Sequence, residues 1–295
     1  MGSRITKLSW TVTQRELLAN RIECRDCDHH FHDTYTLGLV RAGVVRLILG
    51  RQQFLAQEGE VFLIHPYEVH AGGDPNHPIQ CDILYPSIDL IAQLTHVAPL
   101  DNAFPCFDAP IIGRDSTTAR LFCAVDAATR SRSNSEADAA IRDALGLMLT
   151  PRLAGMRRLT VNGPECPAVL RAFDTMLSRF DSINGSFELS SLLGVSPYHL
   201  IRQFHAAVGL PPSAFLRQLR VSRARAQIAA GETLADVAAS VGFVDQSHLT
   251  RAFKSVFGFP PGVLSRNVRI NKARSMPISR TGRATGLLTT RRVPQ

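Results

Sequence analysis

The chain has 295 residues, of which 45% are hydrophobic and 20% are charged, and its formal net charge is +8. These proportions are those of an ordinary globular protein, and the length suits two domains. There is no apolar run of about 18 residues or more and no apolar stretch near the N-terminus, which argues against a membrane span and against secretion. The six cysteines are scattered and do not form a disulfide scaffold, so we expect a cytoplasmic protein.

The basic charge is concentrated in the second half of the chain. Residues 1–165 carry a net charge of −3 and residues 166–270 a net charge of +5. Residues 271–295 add six basic residues and no acidic one. Basic charge beside a mildly acidic half favours a polyanion-binding module joined to a second, different domain, with a solvated basic surface as the alternative.

Residues 20–110 have the pattern of short antiparallel strands. The stretch VVRLILGRQQFLAQEGEVFLIHPYEVHAGG, from Val44 to Gly73, alternates apolar runs with glycine and proline. Gly50 falls where a hairpin turn is expected, and His65-Pro66 ends a strand. Many short strands of this kind predict a sandwich or a barrel, and a barrel holds ligands in its mouth.

Three histidines stand out in this region, namely His30, His32 and His70. HFHDTY followed by GEVFLIHPYEVHAG resembles the cupin pattern, in which an HxH and a later histidine coordinate a metal. Metal-binding cupins carry a carboxylate shortly after HxH, whereas this chain has Thr36 and Leu37 there. We therefore expect the histidines to line an effector pocket without a metal. Three histidines would suffice for zinc, and pairing within the barrel is the other alternative.

The middle of the chain is predicted to be helical and then to open into a linker. Residues 111–156 contain two amphipathic segments, which form a candidate dimerisation segment or pack against the barrel. Residues 157–167 are a predicted linker, because Asn-Gly-Pro at 162–164 interrupts any helix. Residues 269–295 are basic and poor in packing residues, so we expect a disordered tail.

Two stretches in the basic half repeat each other at an offset of 49 residues. HLIRQFHAAVGLPP begins at His199 and HLTRAFKSVFGFPP begins at His248. Such a repeat indicates one supersecondary unit used twice.

The second copy and its flanks predict a helix-turn-helix. Thr233 caps a short helix, Gly242 makes the turn, and Asp245 caps a longer helix. The apolar stripe of that helix faces inward and consists of Leu249, Phe253 and Phe257. Arg251 lies on the opposite side, and Gln246, Ser247 and Thr250 lie in the first turns. Arginine pairs with guanine and glutamine with adenine in the major groove, so this side is the predicted readout face.

The first copy has the same organisation. Ser196 is the predicted cap, Pro197 takes the first helical position, and Tyr198 and Arg202 project outward. Between the copies, residues 213–231 predict one amphipathic linker helix with a basic side formed by Arg217, Arg220, Arg223 and Arg225. Two readers on one helix would enter successive major grooves about 34 Å apart.

The stretch GFVDQSHLTRAFKSVFGFPPGVLSR is similar to the second helix-turn-helix signature of the AraC/XylS family of transcription regulators. The resemblance covers residues from about 166 to 268, and SFELSSLLGV is one residue shorter than the family pattern. It implies base contacts from Tyr198, Ile201 and Arg202 in the first unit and from Gln246, Ser247, Thr250 and Arg251 in the second. The N-terminal half resembles the cupin-shaped effector domain of the same family.

The resemblance implies an α+β chain, with a cupin-like β-barrel followed by helices and then an all-α domain of two helix-turn-helix units joined by a linker helix. We expect an effector barrel in 1–110, a helical segment in 111–156, a linker in 157–167, a DNA-binding domain in 168–268 and a tail in 269–295.

The implied function is a sequence-specific regulator, an activator by resemblance, that binds promoter DNA and is controlled by a small-molecule effector. The implied partners also include RNA polymerase and a second copy of the chain in a homodimer, and no cofactor is expected. The alternatives are a cupin metalloenzyme with a DNA-binding appendage, a repressor without effector, and a protein-interaction scaffold. No nucleophile elbow, P-loop or HExxH supports an enzyme.

Overall fold

The computed structural model describes residues 7–12, 17–24, 26–74, 76–97, 103–130, 135–158, 167–257 and 259–264. The predicted tail and most of the predicted linker lie outside these residues. None of the described helices is long and apolar enough to cross a membrane.

The N-terminal half is a β-barrel of cupin type. Its strands are β1 Lys7–Val12, β2 Leu17–Cys24, β3 Asp26–His30, β4 Thr36–Ala42, β5 Val44–Leu49, β6 Gln52–Gln57, β7 Val61–Ile64, β8 His70–Gly73, β9 Ile79–Pro86, β10 Ala103–Phe107, β11 Ile111–Ile112 and β12 Leu153–Arg158. One sheet has the order β1-β2-β9-β4-β7-β11 and a second the order β3-β8-β5-β6, while β10 pairs with β12. All described pairings are antiparallel, as the sequence pattern predicts.

The hairpin turn that the sequence predicts at Gly50 is present in the barrel. Gly50 has a φ of 57° at the turn between β5 and β6, a left-handed conformation that glycine adopts without strain. β4 and β7 are buried on both faces, because the barrel interior lies on one side and helices cover the other.

Three helices accompany the barrel, namely α1 Ile88–Thr95, α2 Ser116–Arg130 and α3 Ser135–Leu149. Leu121 and Val125 of α2 and Met148 of α3 are buried in one cluster with Leu84 of the sheet, so the helices pack against their own barrel. Ala140 and Leu147 of α3 are exposed and lie outside this cluster. β12 follows α3 as a strand where the sequence predicts the helical segment to pass into the linker, because β10 offers it a pairing edge.

The C-terminal half is helical and contains both predicted helix-turn-helix units. Its helices are α4 Pro167–Ser178, α5 Ser186–Leu193, α6 Pro197–Val208, α7 Pro212–Ala230, α8 Leu234–Ser240 and α9 Gln246–Phe257. Gly194 ends α5 with a φ of 65°, and Gly242 follows α8 with a φ of 83°. These left-handed glycines make the two tight turns, so α5–α6 and α8–α9 are the two units and α7 joins them. The shortened stretch before Gly194 still forms a helix of 8 residues.

The barrel and the helical half share hydrophobic cores. Phe31, which follows β3, is fully buried in the core of the first unit, where its ring stacks on Phe215 of α7 at 4.5 Å between centroids. The barrel interior and the second unit form a further continuous core that runs from Ile83 to Phe257. The backbone amide of Phe31 also donates to Oε1 of buried Gln218 at 3.1 Å. The two halves are therefore docked through apolar packing and through a hydrogen bond from the backbone of Phe31 to the side chain of Gln218.

The docking residue Phe31 should contribute strongly to the stability of the whole chain. Phe31→Ala empties a closely packed aromatic site, and we expect the free energy of unfolding in urea to fall by about 3–5 kcal/mol. Phe187→Ala is the matched control, because that ring is 78% exposed on α5 and its loss should cost at most about 0.5 kcal/mol. Equal effects of the two substitutions would contradict the docking described above.

Candidate functional site

The first recognition helix, α6, presents a polar outer face to solvent. Leu200 and Phe204 are buried on its inner side, so the residues between them are turned outward. Tyr198 is 82% exposed, Arg202 is exposed and Ile201 is half-buried. Ser196 is at the N-cap position as predicted, but its side chain makes no capping hydrogen bond, so Pro197 alone supports the helix start.

The second recognition helix, α9, has the same arrangement. The amide of His248 donates to Oδ1 of Asp245 at 2.6 Å, which caps the helix as the sequence predicts. Gln246, Ser247 and Arg251 are exposed. Thr250 is half-buried, and its hydroxyl donates to the carbonyl oxygen of Gln246 at 2.8 Å, so it can offer only an acceptor to DNA.

Val244 was missed by sequence reasoning. It lies in the turn directly before α9 and is 90% exposed, the largest exposed fraction among the exposed large hydrophobic side chains. An apolar side chain at the start of a recognition helix can contact a thymine methyl group. In the sequence, the exposure of Val244 is indicated only by its position outside the apolar stripe of α9.

Three of the four arginines on the predicted basic side of α7 are half-buried or buried. Arg220 donates to the carbonyl oxygens of Phe180, Ile183 and Gly242 at 2.6–2.7 Å and so ties the two units together. Arg225 is buried, and of the four arginines on the predicted basic side only Arg217 is exposed. A helical pattern predicts the direction in which these side chains point, but it does not predict which groups they contact.

The three histidines meet inside the barrel. His30 ends β3 and pairs across the ladder with His70 of β8, and His32 follows in the turn. The ring centroids of His30 and His70 are 4.3 Å apart, those of His30 and His32 are 4.9 Å apart, and those of His32 and His70 are 5.3 Å apart. They line one end of a cavity of about 90 Å³ whose other walls are mainly apolar and include Val45, Leu47, Phe62, Ile64, Ile79, Ile83 and Tyr85.

Burial keeps these histidines neutral. It lowers the pKa of His30 and of His32, and it lowers the pKa of His70 to about 3. The neighbouring rings disfavour protonation further, because a charge on one opposes a charge on the next. Neutral imidazole is also the form that binds a metal ion. Among the described residues, these three form a cluster whose candidate ligand atoms all lie within 4.8 Å of one another.

The far end of the second recognition helix closes the cavity. Phe257, the last residue of α9, lines it together with Val256. The Phe257 ring stacks on His32 with centroids 5.4 Å apart and an interplanar angle of 14°. A cavity in the barrel therefore has a wall made by the DNA-reading half of the chain.

A buried ion pair joins the two halves beside this wall. Arg225 of α7 approaches Asp33 at 3.3 Å and donates to the hydroxyl of Thr34 at 3.1 Å. Its guanidinium lies 4.8 Å from the ring centroid of Tyr85, which lines the cavity. One nitrogen of Arg225, Nη1, is buried and has no hydrogen-bond partner among the described residues. Arg223 also approaches Asp33, at 3.7 Å.

Both halves match families of known proteins. A family model described as an AraC-like ligand binding domain matches residues 15–149, and a model described as a helix-turn-helix domain matches residues 189–267. YbfI of Bacillus subtilis (strain 168), named as an uncharacterized HTH-type transcriptional regulator, is 24% identical over 229 residues, which are 74% of this chain and 80% of YbfI.

Two solved structures of ToxT from Vibrio cholerae strain SCE256 have a similar fold. An apo variant has a TM-score of 0.54 at 12% identity and covers 86% of this chain and 98% of its own. The wild-type protein bound to an unsaturated fatty acid has a TM-score of 0.53 at 13% identity and covers 86% of this chain and 96% of its own. At these identities the likeness establishes the fold alone.

The buried histidines predict an acid-sensitive fold. His70 has a lowered pKa in the folded chain, so its contribution to stability is present above the unfolded value of about 6.5 and is lost as the pH falls toward about 3. Between about pH 7 and pH 5, His70 takes up a proton in the unfolded chain but not in the folded one. With a chelator present, this difference should lower the free energy of unfolding by about 2 kcal/mol. His70→Gln should lose less stability over the same interval, as measured by urea unfolding. An identical pH dependence in both proteins would contradict a neutral buried His70.

Proposed function

The chain belongs to the AraC family of transcriptional regulators, and on that premise we propose that it activates transcription from promoters that it reads with both helix-turn-helix units, under control of an effector bound in the barrel cavity. It is a DNA-binding regulator with a ligand-binding domain and not an enzyme. The observation that carries the proposal is Phe257, because one helix, α9, bears predicted base-reading residues at its start and a wall of the cavity at its end.

The proposed DNA contacts are the outward residues of the two recognition helices, namely Tyr198, Ile201, Arg202, Gln246, Ser247, Thr250 and Arg251. Their support is position, because five of the seven are exposed and the other two, Ile201 and Thr250, are half-buried at the equivalent position of the two helices. Exposed arginine and glutamine side chains match guanine and adenine edges in the major groove. Tandem readers lengthen the site and so raise specificity.

The proposed division of labour keeps the sequence-based boundaries. Residues 1–110 would hold the effector, 168–268 would bind DNA, and 269–295 would add nonspecific attraction to phosphate. The segment 111–156 would join two copies of the chain, and its support is the exposed pair Ala140 and Leu147 on α3. Contact with RNA polymerase and a cytoplasmic location follow from activation at a promoter.

The proposed control of DNA binding uses the docked interface. The cavity is apolar along most of its wall and polar at the histidine end, which suits a small ligand with one polar end. A ligand that packs better when Phe257 is in place favours the docked state, and differential affinity of this kind is what shifts a two-state equilibrium. The fatty-acid-bound ToxT structure supports the proposal in that a relative of this fold holds a ligand.

Selection of bound duplexes from a random pool tests the proposed readout, with the full-length protein at two salt concentrations. We expect two short motifs about ten base pairs apart. Arg202→Ala and Arg251→Ala should each cost about 1–3 kcal/mol on the selected site and relax the preference at different positions. Arg217→Ala removes the same charge from α7, so any loss there should be uniform across sequences. If all three variants weaken every duplex equally, the two arginines contact only phosphate.

The ion pair between the halves should matter for DNA binding although Asp33 lies on the barrel side. Asp33→Asn leaves Arg225 buried without its carboxylate, which disfavours the docked arrangement. Because we propose that docking sets the placement of the two recognition helices, we expect affinity for the selected duplex to fall at least about threefold. Asp28→Asn is the matched control, because Asp28 is exposed on β3. Unchanged affinity in Asp33→Asn, with the protein folded, would contradict control through this interface.

A further inference from the structure

The rings of the three cavity histidines lie close to one another, and hydrogen bonds fix the tautomer of two of them. Nδ1 of His30 lies 2.7 Å from the carbonyl oxygen of Asp28, and Nδ1 of His70 lies 2.8 Å from that of Glu68. A carbonyl oxygen can only accept, so each Nδ1 carries the proton. In a neutral ring Nε2 then keeps its lone pair. A histidine held in this way, with one nitrogen donating to a carbonyl, has the tautomer and the fixed orientation found in metal-bound histidine.

The third histidine has a buried nitrogen without a partner. His32 is 3% exposed, and its Nδ1 has no hydrogen-bond partner in the part of the chain that the structure describes. The ring is held between Tyr85 and Phe257, at 5.0 and 5.4 Å between centroids, neither of which offers it a strong donor through its ring face. A buried polar atom of this kind requires an explanation, since most buried polar groups are paired.

We propose that His30, His32 and His70 bind a divalent first-row transition-metal ion such as Zn²⁺, with Nε2 of His30 and of His70 among the ligands. The proposal names the ligand class at the polar end of the same cavity, and its consequence for DNA binding rests on the function proposed above. Three imidazoles satisfy zinc and leave one coordination position for water or a ligand group. Nitrogen donors of this type favour zinc, copper, nickel or iron over calcium and magnesium.

The distances and charges at the site are compatible with an ion. The candidate ligand atoms lie within 4.8 Å of one another, and bonds of about 2.0–2.1 Å would bring them to about 3.3–3.4 Å, so the rings would have to rotate toward a common centre. The nearby guanidinium of Arg225 is offset by Asp33 at 3.3 Å. The sequence lacks the carboxylate that metal-binding cupins carry after HxH. The three histidines nevertheless supply three nitrogen donors at one place.

An ion at this position would also act on the reading helix. A metal-bound His32 ring is fixed in orientation, and Phe257 stacks on that ring. Occupancy would thereby stabilise the end of α9 in its docked position. A second ligand that coordinates the open position would enter the same apolar cavity.

Titration of the full-length protein, free of any affinity tag and stripped with a chelator, tests the site. We expect one equivalent of Co²⁺ per chain, seen as visible absorption bands that Zn²⁺ abolishes by competition. His30→Gln and His70→Gln should each weaken binding at least about tenfold. His29→Gln is the matched control, because His29 is exposed and adjacent to the site, and it should bind as the unchanged protein does.

The unchanged protein decides the question without any variant. Failure to take up stoichiometric Co²⁺ or Zn²⁺ would overturn the proposal, as would equal binding by His29→Gln, His30→Gln and His70→Gln. The titration contains no DNA, so its failure is separate from failure of the proposed regulator. A chain that binds no metal but selects a bipartite duplex would overturn the metal site and leave the regulator standing.

Discussion

Three consecutive residues, Phe31, His32 and Asp33, link the barrel to the helical half of the chain. Phe31 is buried in the core of the first helix-turn-helix unit, His32 lies in the barrel cavity, and Asp33 pairs with Arg225 between the two halves. The barrel cannot turn away from the helices without withdrawing a large aromatic ring, whose burial stabilises by about 1.5–3 kcal/mol, and without leaving a buried arginine uncompensated. The placement of the DNA-reading helices is therefore a property of the barrel as well as of their own packing.

The helix α9 joins the wall of the cavity to the proposed readout face. It has 12 residues and hence a length of about 18 Å, with exposed Gln246 and Arg251 toward its start and Phe257 at its end. A short, well-packed helix moves as one body, so a displacement of Phe257 in the cavity wall would be transmitted to the proposed base-contacting residues. His32 stacks on that ring, which places the histidine cluster one contact away from the recognition helix.

Features with local causes could be predicted from the sequence. The two glycine turns, the Asp245 cap and the antiparallel strands depend on neighbouring residues, and the structure contains all of them. The burial and the partners of the α7 arginines could not be predicted from the sequence. Arg225, for example, contacts Asp33, which is 192 residues away along the chain. Likewise the HxH pattern indicated which histidines belong together, whereas only the β3–β8 register brings His70 opposite His30. Contacts between the halves carry no local pattern, and they are what joins the cavity to the reader.

Hydrogen exchange of the full-length protein, with and without its selected duplex, tests most directly whether cavity and reader form one unit. Linkage requires that if the cavity state alters DNA binding, DNA binding alters the cavity state. Shared packing predicts that the duplex slows amide exchange in α6 and α9 and also in β8 and the turn after β3, where nothing touches DNA. Protection confined to the helices, with unchanged exchange around His70 and Phe31, would contradict the coupling.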